Sequence, residues 1–248
     1  MSRVERSLKT NIIGKVTFTA FLLLIFLAAV IHKPGLFNAN GQGSQVQIYP
    51  IDSKPFGISM ADWSVIWWKW LLGAPQESSP AWDDTGKNCN VSQTNPNVWF
   101  LAQTGSGPAE RTCTIPADRA ILFPVAINEC SFAENVELKT ERELLDCAKS
   151  GNEVTVIRAI VDGKPIEDLQ SYRVSSKIFD VTMPANNIFG VPNCPCKTKA
   201  VSDAFMVFLK PLSPGKHTLE WEQINMDNPT TGTQSFAYKV KYNLNVAP

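Results

Sequence analysis

Hydrophobic positions follow three patterns along this chain. Residues 16–31 form an unbroken apolar stretch, preceded by Arg3, Arg6, Lys9 and Lys15 and followed by Lys33 and Pro34. A helix of that length spans about 24 Å, a little less than the ~30 Å hydrocarbon core, and Ile12 and Ile13 extend it if Lys15 snorkels. The preceding cations predict a cytoplasmic N-terminus with the rest of the chain exported. We therefore read 1–33 as a cytoplasmic N-terminus and single transmembrane signal anchor, with a cleaved signal peptide, and so secretion, as the alternative. Residues 34–58, rich in Gly, Gln, Asn and Ser, predict a linker, and 59–248 an extracytoplasmic domain.

The second pattern is helical. Trp63, Ile66, Trp67, Trp70 and Leu71 recur at the spacing of one α-helical face. Ser59-Met60-Ala61-Asp62 predicts a capping box at its start, and Gly73 and Pro75 predict its end. Thr140-Glu141-Arg142-Glu143 predicts a second capping box, opening a short helix that Gly151 closes.

The third pattern is β. Residues 98–102, 120–127, 154–161, 204–209 and 217–222 carry strand-like composition. Residues 172–183 alternate, and the Asp162-Gly163 pair predicts a tight turn. Pro124 inside an apolar run predicts a sheet edge, a bulge or a break. Phe236, Tyr238, Val240, Tyr242, Leu244 and Val246 alternate strictly, which predicts one buried and one solvated face. Short strands without long intervening helices predict a mainly β fold: an antiparallel β-sandwich, Ig-like or jelly-roll-like, with an N-terminal Trp-rich helix and one further short helix.

Charge sharpens the picture. The chain has 23 basic and 23 acidic residues, but the first 33 positions hold five Lys/Arg and one acid, so the remainder is mildly acidic. With no basic run, nucleic acid is excluded as an expected partner. Six cysteines, Cys89, Cys113, Cys130, Cys147, Cys194 and Cys196, all follow the apolar stretch, as in an oxidising compartment. They allow 15 pairings, of which the short loops Cys89–Cys113 and Cys130–Cys147 are preferred. Asn90-Val91-Ser92 is a glycosylation sequon.

An ordered series of short motifs runs through the domain: Trp63-x3-Trp67-Trp68-x-Trp70, Asp84-Thr85-Gly86-x2-Cys89, and Val98-Trp99-Phe100-Leu101-Ala102. Arg111-Thr112-Cys113-Thr114-Ile115-Pro116-Ala117, Phe123-Pro124, Asn128-Glu129-Cys130 and Leu209-Lys210-Pro211-Leu212-x-Pro214-Gly215-x-His217-Thr218 continue it. In this series the chain resembles a family of exported microbial proteins of unknown function. The resemblance implies export and a shared fold, and implies no activity. Cys194-Pro195-Cys196 and the long N-terminal anchor depart from the family's pattern.

Candidate chemistry remains open at several places. Trp63, Trp67 and Trp70 fit helix packing, while Trp68, Trp82 and Trp99 are candidates for a platform on which sugar rings or lipid headgroups stack. Cys194 and Cys196 can chelate copper(I) as thiolates, or form a labile disulfide, or pair elsewhere. Asp83-Asp84-Thr85-Gly86 offers oxygens for calcium or simply a turn. Glu129, Glu134, Glu137, Glu141 and Glu143 can supply a carboxylate pair for glycoside hydrolysis, with a solvated helix face as the default. His217, the exported part's only histidine, fits turn orientation better than catalysis, and three-His zinc is impossible within one chain. These readings favour a membrane-tethered, non-enzymatic cell-envelope module binding a glycan or protein. Copper handling or thiol redox through Cys194/Cys196, and a carboxylate-dependent glycan hydrolase, are the alternatives.

Overall fold

The computed structural model describes residues 46–105, 107–153, 156–225 and 235–248. The predicted anchor lies outside them, as does the first part of the predicted linker, residues 34–45. Among the described residues no helix is long and apolar enough to cross a membrane. The described elements in chain order are α1 (Met60–Leu72), β1 (Val98–Phe100), β2 (Ala109–Pro116), β3 (Ala120–Ser131), α2 (Glu141–Gly151), β4 (Val156–Val161), β5 (Lys164–Pro165), β6 (Arg173–Ser175), β7 (Phe179–Met183), β8 (Cys196–Leu209), β9 (Gly215–Asn225) and β10 (Phe236–Ala247).

Both helices begin where their caps predict. Ser59 Oγ accepts from the Asp62 N–H at 3.2 Å. Asp62 is one methylene shorter than the Glu of a full capping box, and its carboxylate takes the Ser59 hydroxyl proton (2.6 Å) instead. At α2 the box is complete: Thr140 Oγ1 accepts from Glu143 N–H, and Glu143 accepts from Thr140 N–H at 2.8 Å.

The fold is mainly β, with two five-stranded sheets. One has the order β1-β3-β8-β6, with β7 also on β8; the other runs β2-β10-β9-β4-β5. They are mixed, not purely antiparallel as the sequence predicts. β1 pairs parallel with β3, and β2 with β10. Antiparallel pairing follows from hairpins. Here the chain visits the second sheet as β2 between β1 and β3, so those two neighbours are not joined by a turn.

One apolar cluster takes residues from both sheets, including Phe123, Phe205 and Val207 from the first and Trp221, Tyr242 and Leu244 from the second. A second cluster joins α1 to the other face of the first sheet, through Trp63, Trp67, Leu122, Met206 and Phe208. The first sheet is thus covered on both faces, which is why β3 and β8 read as continuous apolar runs. β10 keeps its alternation, with Val240, Tyr242, Leu244 and Val246 inward.

β2 has no apolar alternation in sequence, and reading the pattern alone misses it. Its inward residues are Ala109, Arg111, Cys113 and Ile115, and the arginine breaks the expected pattern.

Cys89–Cys113 and Cys130–Cys147 are bonded as preferred, and Cys194 pairs with Cys196. Chain-entropy arithmetic gives about 3 kcal/mol for each of the two longer loops, and about 1.5 kcal/mol for the two-residue separation of the last. We expect the Cys194→Ser/Cys196→Ser double variant to lose about 1.5 kcal/mol in urea unfolding. A loss as large as that from opening either longer loop would refute this account.

Candidate functional site

The site is made on β3. β1 accompanies β3 only as far as Leu122, where Leu101 N–H still bonds Leu122 C=O at 3.0 Å. Beyond that point the edge of β3 has no strand partner among the described residues, and Gln103 takes over, its Nε2 donating to Val125 C=O at 3.1 Å. Pro124 brings no N–H to the ladder, and the register against β8 slips between Pro124 and Ala126. Before the slip, Ala120 and Leu122 face α1 while Ile121 and Phe123 face the other sheet. After it, Val125 and Ala126 both face the other sheet and Ile127 faces α1. The bulge therefore inverts the parity of the strand. Glu129, two residues past Ile127, comes to α1's face, whereas an uninterrupted strand would turn it the other way.

A cavity of about 350 Å³ opens there. α1 contributes Trp67 and Trp68, the turn after it Trp82, the loop before β7's partner strand Phe189, and the second sheet Gln223, Phe236 and Tyr238. Trp68 Nε1 donates to Ser202 Oγ at 3.0 Å, and Ser202 is the residue paired with Glu129 across β3 and β8. Trp67 Nε1 donates to Leu101 C=O, also at 3.0 Å. Trp82 is 43% exposed and Phe189 42%, two of the four exposed large apolar side chains among the described residues, and both flank this cavity. Trp82 is held by a close approach. A Cβ on Gly105 would lie 3.1 Å from its indole Cε2, so a larger residue there would have to push the ring aside by a few tenths of an ångström.

Glu129 is 6% exposed, and neither carboxyl oxygen has a hydrogen-bond partner among the described residues. Burial, and after it the neighbouring Glu134 carboxylate, holds its pKa well above the usual carboxylate range. Glu134 itself is engaged by the Ser131 hydroxyl at 2.6 Å. These two acids are the only charged residues among the described residues that line the cavity. The site can accept hydrogen bonds at Glu129, offer aromatic faces, and present carboxamides from Gln103, Asn128 and Gln223.

The candidates from sequence separate into groups. Trp68 and Trp82 line one cavity, but Trp68 is 5% exposed and packs on the sheet, not projecting from the helix as its spacing suggests. Trp99 lies elsewhere, buried in β1 with the Arg119 guanidinium 5.5 Å above its ring, so the three do not form one platform. Glu129 and Glu134 meet in the cavity, while Glu137, Glu141 and Glu143 are exposed. Asp83 organises its turn. Burial works to raise its pKa, but bonds from Asn88 N–H and from the Thr85 hydroxyl and N–H outweigh it, and the pKa lies below the usual value. Among the described residues no group of three or more His, Cys, Asp or Glu could hold a metal, and Cys194 and Cys196 are bonded to each other. His217 bridges two turns, with Nδ1 2.7 Å from Asp162 Oδ2 and Nε2 2.9 Å from Ser213 C=O. Asn90 is exposed beside Cys89.

Gln103, Gln223, Phe189, Phe236 and Tyr238 carry no motif that sequence reading could find. They come from separate elements, and only the fold makes them neighbours. No family model matches the chain, and no curated protein matches it.

Proposed function

We propose that this protein is an exported, membrane-tethered binding module of the cell envelope, its two sheets a β-sandwich, with the aromatic cavity as its ligand site. The single observation behind this reading is Glu129: a carboxyl group buried without a partner, at the wall of an open cavity flanked by half-exposed Trp82 and Phe189. Leaving such a group unsatisfied costs about 1–3 kcal/mol, which a bound donor recovers. Flat aromatic faces beside carboxamides suit a sugar ring, so an envelope glycan is the ligand class. The N-terminal apolar stretch after Arg3, Arg6, Lys9 and Lys15 supports the tether, and paired cysteines accord with export.

The test is tryptophan fluorescence of the purified exported domain against envelope polysaccharide fragments, repeated with Trp82→Ala. We expect saturable quenching that Trp82→Ala weakens at least about tenfold, a loss of ~1.4 kcal/mol. Quenching indifferent to this substitution would place the ligand elsewhere.

A second reading has one observation of its own. Glu129, pushed up beside Glu134, matches the requirement for a general acid next to a second carboxylate in glycoside hydrolysis. Incubating labelled glycans with the parent and with Glu129→Gln separates the two: cleavage that disappears in the variant identifies a hydrolase, and binding without cleavage a module.

A further inference from the structure

We propose that the cavity seats an organic ammonium ion against Glu129, between the faces of its tryptophans; this rests on the reading of the cavity as the ligand site. Charge is the first argument. The described lining residues include two carboxyl groups and no Lys, Arg or His. Arg111, the buried cation among the described residues, is committed to other partners: it donates to Asp83 C=O, Ala102 C=O, Ala81 C=O and Tyr242 Oη at 2.6–3.2 Å. Among the described residues the two acids of the cavity thus have no counterion at the wall.

Donor supply is the second argument. An anionic ligand needs N–H or O–H groups aimed inward. The indole N–H groups of Trp67 and Trp68 are turned to Leu101 C=O and Ser202 Oγ, leaving ring faces and edges to the cavity. Gln103 Nε2 is bonded to Val125 C=O and Asn128 Nδ2 to Ala148 C=O. Apart from the Trp82 indole and the Tyr238 hydroxyl, the described lining residues turn mainly acceptors and ring faces to the space. Aromatic faces attract cations through the ring quadrupole, more strongly where water is excluded.

Glu129 completes the argument. A neutral hydroxyl can satisfy one of its oxygens, but it leaves the repulsion from Glu134 in place. An ammonium ion meets both needs, compensating the charge of the ionised carboxyl and, if it bears N–H groups, donating to it. The same chemistry occurs in an amino sugar and in a choline-type headgroup.

Calorimetric titration of the exported domain with two matched pairs decides the matter: glucosamine against glucose, and choline against dimethylbutanol, its uncharged isostere. We expect the charged member of at least one pair to bind at least about tenfold more tightly, and the advantage to fall below about twofold in Glu129→Gln. Glucosamine winning points to an amino-sugar source, and choline to a headgroup. Equal binding within both pairs, or an advantage that survives Glu129→Gln, overturns the ammonium site while leaving the cavity a ligand site. If no probe binds, the ligand-site reading fails, and the ammonium site with it. If choline binds but neither sugar does, the ammonium site stands and the glycan class falls. Glu129→Gln removes a buried, unpartnered acid, so cooperative unfolding of the variant confirms that any lost affinity is local.

Discussion

Arg111→Met is expected to lower the free energy of unfolding by about 1–3 kcal/mol, read as a reduced urea midpoint at unchanged slope. Arg111 is 1% exposed, on the inward face of β2. Its guanidinium holds Asp83 C=O at 2.6 Å, Ala102 C=O at 2.7 Å and Ala81 C=O at 3.2 Å, and it donates to the Tyr242 hydroxyl at 2.6 Å. The Tyr242 hydroxyl in turn donates to Ala102 C=O and accepts from Ala102 N–H. Burial pushes its pKa up, with the Arg111 charge pulling the other way. Methionine keeps most of the stem's volume but leaves Asp83 C=O without this donor in the interior, and each such group costs about 1–3 kcal/mol. Because Ala81 and Asp83 bracket Trp82, the variant is also expected to weaken ligand quenching. A loss below about 1 kcal/mol would mean that water replaces the guanidinium and that the network is incidental.

The second large effect is a gain. Glu129→Gln is expected to stabilise the protein increasingly as pH rises into the alkaline range, and by almost nothing at about pH 4. The sign follows from the direction of the shift. Glu129 has its pKa raised in the folded protein, so the native state keeps a proton that the unfolded chain releases above the ordinary glutamate value of 4.5. The stability this provides is complete below that value and is lost as pH rises through the folded pKa. Gln is a near-isostere that does not ionise, so the difference between the two proteins opens from about pH 4.5 upward. Paired urea titrations across this range measure it directly. Parallel stability curves for the two proteins would show that Glu129 is compensated by a partner. The gain in stability is also a mark of function: a residue whose replacement strengthens the fold is kept for something other than folding.

How much of this was legible beforehand varies by element. Ser59, Thr140 and the Trp spacing announce both helices, because caps and face periodicity act within a few residues of chain. β10 is legible for the same reason: each of its side chains meets one sheet face or water, and alternation records which. The two longer disulfides follow from loop length. β2 is not legible, because its buried charge is compensated by carbonyls of Ala81, Asp83 and Ala102, far from it along the chain. The parallel pairings are hidden likewise, since nothing local says that the chain crosses to the other sheet between β1 and β3.

The same division holds for the site. Glu129 and Glu134 stand out in sequence only as members of an acidic cluster, and Glu137, Glu141 and Glu143 look no different. Residue types, their spacing and the short-range bonds they form determine by themselves the helices, the alternating strands and the preferred cysteine pairs. Tertiary structure alone decides which acid is buried. Pro124 loosens one rung of β3, the slip at Ala126 turns Glu129 to the face that Trp68 packs on, and Ser202 of a distant strand holds the Trp68 indole. The reason is physical: periodicity reports the local environment of each face, whereas desolvation of a carboxyl depends on every atom that closes around it.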